Sequence, residues 1–125
     1  MSPFPEIVDG VGISRPRGEC SLVEAVERIG SAVEYCRSRK VPKLLFNATR
    51  LTGISIPTLV DRFLMVEEWA RVAEGKVAVV LVVDPEYIHP ERFGVVVAAH
   101  FGLTCNVFTS EPEAFEWLER IAGTT

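Results

Sequence analysis

No apolar run in this chain is long enough to cross a bilayer: the longest, Val77 to Val83, falls far short of the roughly 20 residues a spanning helix needs. The start, "MSPFPEIVDG", has no basic stretch followed by an apolar run, so no export signal is read there. Positive charge is also scarce. Thirteen Lys and Arg against seventeen Asp and Glu leave a net charge of -4, which argues against a nucleic-acid partner, since neutralising phosphates takes a basic surplus. Only Arg15, Arg17 and the stretch from Arg37 to Lys43 are locally basic. Three cysteines, Cys20, Cys36 and Cys105, are odd in number and form no C-x-x-C pair, so a disulfide framework is not expected. Reduced thiols and the missing export signal predict a soluble, cytoplasmic protein. Neither His89 nor His100 stands in an H-x-x-x-H or H-E-x-x-H setting, and no G-x-S-x-G elbow, P-loop or G-x-G-x-x-G occurs. The expectation is a protein that is not an enzyme and holds no metal or cofactor.

What is present reads as one α/β domain over residues 1–125. "IVDGVGISRP" is predicted as an edge strand, with Val11 and Ile13 alternating against small or polar residues. From Ser21, the positions Leu22, Ala25, Val26, Ile29, Val33 and Cys36 recur at helical spacing, and Ser21 with Glu24 matches a capping box. "KLLFNA" is a short strand. Pro57 is predicted in the first turn of a second helix, which runs to about Glu74 with Gly75 closing it. "KVAVVLVV" suits a strand covered on both faces, with Val79, Leu81 and Val83 on one side and Val80 and Val82 on the other. His89 and Pro90 open a third helix through Phe101. "LTCNVFT" is the last strand, and Ser110 with Glu113 caps a final helix ending near Ala122. Alternating strands and helices predict a mainly parallel central sheet flanked by helices, with any binding site outside the carboxyl ends of its strands.

Three segments meet at that edge: Asn47 to Ser55, Asp84 to His89, and Thr109 with Ser110. Ser55 either caps the second helix or joins its N-terminus in binding an anion. Arg50 either holds a carboxylate or phosphate, or is solvated. Asp84, Glu86, His89 and Glu91 lie close together but lack ligand spacing. Cys20, near a helix start, is read as an incidental surface thiol or a reactive one. Cys36 and Cys105 fall in apolar register as small core residues.

The segments "FNATRLTGISIPTLVDRF", "GKVAVVLVVDPEYIHPERFGVVVAAHFGL" and "NVFTSEPEAFEWL" resemble the SpoIIAA-like proteins, a STAS-related family of small bacterial domains. The order of elements is that of the sulfate transporter and anti-sigma factor antagonist fold, and the resemblance covers nearly the whole chain. It implies a non-enzymatic domain that binds a protein or small ligand, with the loop before the second helix as its working surface. In anti-sigma antagonists that loop resembles an Asp-Ser-Ser/Thr-Gly run phosphorylated by a partner kinase. Here it reads "SIPT": Ser55 takes the acidic position, and Ile56 and Pro57 stand where the phosphorylated hydroxyl would be. That departure counts against a kinase switch, although Ser55 and Thr58 remain nearby hydroxyls. Relatives in this branch are also compared with lipid-binding SEC14-type domains.

On the second helix, Leu59, Phe63, Val66, Ala70 and Ala73 form one apolar face, and Met65, Trp69 and Val72 a second, displaced stripe. The second stripe is read as packing on the third helix, as a homodimer seam, or as the wall of an apolar cavity. Two functions follow. The preferred one is a regulatory module contacting a protein partner, as yet unidentified, through Asn47, Arg50, Thr52, Ser55, Thr58 and Asp84. The alternative is a carrier of a small apolar or lipid-like ligand in a cavity bordered by Phe63, Met65, Trp69, Val72 and Phe93.

Overall fold

The structure, a computed structural model, describes residues 4–121. Its elements in chain order are β1 (Glu6–Val8), β2 (Val11–Ser14), β3 (Gly18–Glu19), α1 (Leu22–Ser38), β4 (Lys43–Asn47), β5 (Leu51–Thr52), α2 (Leu59–Ala73), β6 (Ala78–Val82), α3 (Phe93–His100), β7 (Cys105–Phe108) and α4 (Glu111–Ile121). β1, β2, β4, β6 and β7 pair in that order to form the main sheet. Every pairing is parallel except that of β1 with β2. The protein is therefore an α/β domain with a mostly parallel sheet, as its alternating elements predict.

Both sides of the central strands β4 and β6 are buried, in keeping with their near-continuous apolar runs. Leu44 and Phe46 of β4 and Val79 of β6 enter the larger core with α1, α2 and α3, and Leu81 packs on its margin. Leu45, Val80 and Val82 point the other way, onto Ala114 and Leu118 of α4. Side-chain alternation along two strands thus separates a three-helix layer from a one-helix layer. No described helix is long and apolar enough to cross a membrane.

Four expectations need correction. The lead segment is a hairpin, because Asp9 (φ 50°) and Gly10 (φ 78°) both take the left-handed backbone of a two-residue turn. Val8 is thereby set opposite Val11. α2 starts later than expected: Pro57 precedes the cap, and Thr58 and Asp61 form the capping box, so Ser55 caps nothing. α3 also starts late, at Phe93, because Arg92 sits at φ 52° and interrupts helical backbone after Pro90. The inward stripe of α2 is Arg62, Val66, Trp69 and Ala73, whereas Leu59 and Phe63 are 51% and 42% exposed. Trp69 sets this phase, since burying its ring outweighs burying Leu59. The predicted helix end at Ala122 lies outside the described residues.

Pro42 marks the loop after α1, and Val41 N–H returns to Cys36 O at 2.8 Å. Cys36 in turn packs against the sheet at Gly12, where an added Cβ would lie 2.6 Å from Cys36 Sγ. Gly12→Ala should therefore cost about 1–3 kcal/mol by overpacking. Cys36→Ala in the same chain should recover part of that loss, so urea denaturation of the wild type, both single variants and the double variant should show strong non-additivity. Strict additivity would mean that the helix shifts as a body and the thiol is not the obstacle.

Candidate functional site

Between α1, α2, α3 and the sheet lies a cavity of about 110 Å³, at the carboxyl ends of the parallel strands. Its walls are mostly apolar: Ala25, Val26 and Ile29 from α1, Met65, Val66 and Trp69 from α2, Leu81 from β6, and Cys105 and Val107 from β7. Burial pushes the Cys105 thiol up to about 12 and the Cys36 thiol to about 11. Neither cysteine is an accessible thiolate. Cys20 is 2% exposed, its thiol is raised by burial, and it donates to Ser21 O at 3.4 Å, so the surface-thiol reading is withdrawn.

The loop from Asn47 to Thr58 forms part of the cavity wall. Ala48, Leu51, Ile54 and Pro57 face inward, and Tyr87 holds the loop by donating its hydroxyl to Ile54 O at 2.7 Å. A short parallel ladder between β3 and β5 fastens its middle, with Cys20 N–H donating to Thr52 O at 2.8 Å. Three of the loop's polar side chains, Asn47, Thr49 and Thr58, are occupied within the fold. Asn47 Oδ1 accepts from Thr49 N at 2.9 Å and Thr49 Oγ1 at 2.6 Å. Thr58 exchanges its capping bonds with Asp61, which satisfies donors at the α2 N-terminus that an anion would otherwise claim. Arg50, Thr52, Ser55 and Asp84 are exposed.

Of the residues proposed around a cavity or seam, Met65 and Trp69 line the cavity. Trp69 is 1% exposed and donates Nε1–H to Val26 O at 3.1 Å, so it packs on α1 and forms no seam with a second copy. Val72 and Phe93 are half-buried against the main core. Phe63 points outward and meets Phe101 edge-on, with ring centroids 5.3 Å apart.

Two arginines border this apolar space. Arg62 is 8% exposed, and its Nη1 donates to Tyr87 O at 2.9 Å. Burial alone lowers its pKa; no neighbouring charge offsets that effect. Arg92 Nη2 donates to Asn106 Oδ1 at 2.6 Å and to Val107 O, and its guanidinium lies 5.7 Å from the Phe108 ring centroid. Among the described residues, neither arginine forms an ion pair. His89 and Asp84 complete the mouth. Within the same residues, no cluster of three His, Cys, Asp or Glu side chains could hold a metal ion. Arg62 escaped the sequence reading because the α2 stripe was phased on Leu59. The signal was a cation at the head of the 4-3-4 spacing of Arg62, Val66, Trp69 and Ala73.

A separate polar cluster ties the same sheet edge to α4. Arg15 grips Glu111 through two bonds of 2.8 Å, and Asn47 Nδ2 donates to Glu111 Oε2 at 2.7 Å. Asn47 is thus committed on both sides of its amide. The Arg15 guanidinium, helped by Asn47, holds the Glu111 carboxyl at about 2, below the ordinary 4.5. A lowered folded value stabilises the protein above the ordinary one, and that contribution fades as pH falls from about 4.5 toward 2. Arg15 is 40% exposed, so solvent screens the pair. Glu111→Gln should cost about 1–2 kcal/mol at neutral pH and flatten the acid limb of the stability curve. An acid limb unchanged in the variant would assign that limb to other carboxyls.

No family model matches this chain, and neither does any curated protein or solved structure.

Proposed function

We propose that this chain is a non-enzymatic binding domain that holds a small, mainly apolar ligand in the cavity beneath α1, α2 and α3. The observation that carries this reading is the cavity itself, apolar-walled and placed at the carboxyl ends of β4, β6 and β7. Such clefts are where ligands bind in α/β domains. The resemblance to SpoIIAA-like, STAS-related proteins supports a binding role over catalysis, and the comparison with SEC14-type domains agrees with an apolar ligand. The loop from Asn47 to Thr58 then serves as a wall whose outer residues, Arg50 and Ser55, remain available to a regulatory partner.

Gly94 gives a direct test. It lines the cavity within α3, and a Cβ added there meets nothing within 4 Å. Gly94→Leu should narrow the space without a clash at its Cβ. The same variant should lose binding of 1-pentanol, measured by the shift of the Trp69 indole N–H resonance. Wild type that leaves this resonance unmoved at millimolar pentanol, or a variant that binds equally well, would sink the reading.

A second reading, a protein-docking face, is favoured by the outer side of α2. Val60 is 66% exposed and Leu64 54%, beside the outward Phe63 and Phe101. Such clustering of apolar side chains on a surface marks interfaces. If this face pairs with a second copy, the protein should scatter light as a dimer at high concentration and Leu64→Asp should return it to a folded monomer. A monomeric wild type would remove self-association from this reading.

A further inference from the structure

Arg62 is the most unusual residue of the cavity. More than nine-tenths buried, it lies against apolar walls with one hydrogen bond from a guanidinium that has five N–H donors, and no described carboxylate pairs with it. Its other guanidinium nitrogens are not sealed from water, so their N–H groups are free to take an acceptor that enters the cavity. We infer that the cavity takes a short, singly charged carboxylate, its head on Arg62 and its tail toward Met65, Trp69 and Val107.

This inference rests on the ligand-holding reading above and adds the ligand's chemistry. The planar fork of a guanidinium matches a carboxylate through two parallel bonds. Arg92 already donates to the neutral acceptors Asn106 Oδ1 and Val107 O, whereas Arg62 spends only one bond, on Tyr87 O, and so keeps more donors free for the carboxylate. Asp84 stands exposed at the mouth and pairs with neither arginine, so it does not occupy the site proposed for the carboxylate. Size limits the tail. A space of about 110 Å³ suits a short tail.

The test is a matched pair, pentanoate and 1-pentanol, titrated into the labelled protein while the Trp69 indole resonance is followed, with Trp117 of the opposite core as internal reference. Wild type should bind pentanoate at least about tenfold more tightly than pentanol, as expected of a desolvated charge-assisted bond. Arg62→Met should abolish that preference while leaving pentanol affinity within about twofold. Equal affinities in wild type would overturn the carboxylate inference and leave the apolar cavity standing. No response to either compound would overturn both. A preference that survives in Arg62→Met would place charge recognition elsewhere and also overturn the inference. Should Arg62→Met not fold, the wild-type pair still decides. Arg62→Lys, which keeps the charge but loses the fork, should then retain only part of the preference.

Discussion

The constraint on which this molecule depends is the two-sided burial of β4 and β6. A central parallel strand has no solvent face, so each residue must suit one of two cores, and the period of two assigns alternate residues to opposite layers. Leu44, Phe46, Val79 and Leu81 serve the layer of α1, α2 and α3, and Leu45, Val80 and Val82 serve the layer of α4. A slip of one residue in either register would exchange the two sets. The layers differ in size and in what they must cover. On one side α4 alone seals a small, closed cluster; on the other, three helices share a broader face, and any misfit among them appears as space.

That asymmetry explains why the candidate site lies where it does. α4 is also anchored at its first residue by Glu111, which Arg15 and Asn47 hold at the strand ends. In the three-helix layer, Arg92 ties the start of α3 to Asn106 and Val107 of β7. The loop and α2 are held at that edge by single bonds, from Arg62 to Tyr87 O and from the Tyr87 hydroxyl to Ile54 O. The loop that separates the β4 end from α2 is thus both a structural wall and the boundary of the cavity.

Much of this was legible in the sequence, for reasons that can be named. β6 announces itself by β-branched residues, and the α1 start by Ser21 and Glu24, whose mutual bonds are local and owe nothing to tertiary context. The Asp9-Gly10 turn was equally local and should have revealed the hairpin; reading its flanks as one strand ignored the strongest short hairpin signal. Other features were not local. The phase of α2 depends on how Trp69 competes with Leu59 and Phe63 for the interior, which apolar spacing leaves open when apolar residues cover most of the helix. The Glu111 clamp joins residues 96 positions apart, beyond the reach of any pattern along the chain.

The cavity itself follows from a shortfall of helix. α3 spans only Phe93–His100, because Pro90 and the left-handed Arg92 keep the preceding residues out of it. A full extra turn there would have placed side chains over the carboxyl ends of β6 and β7. Instead the segment Asp84 to Arg92 runs as a short turn and an extended stretch, bringing Tyr87, His89 and Arg92 to the rim. Small residues enlarge the gap, since Ala25, Ala48 and Gly94 line it from three directions where larger ones would close it. A chain selected for core density alone would fill that space with a Leu or Phe and would place no guanidinium beside it. The ligand-holding reading therefore rests on the coincidence of small walls, a late helix start and Arg62 at one end of one sheet.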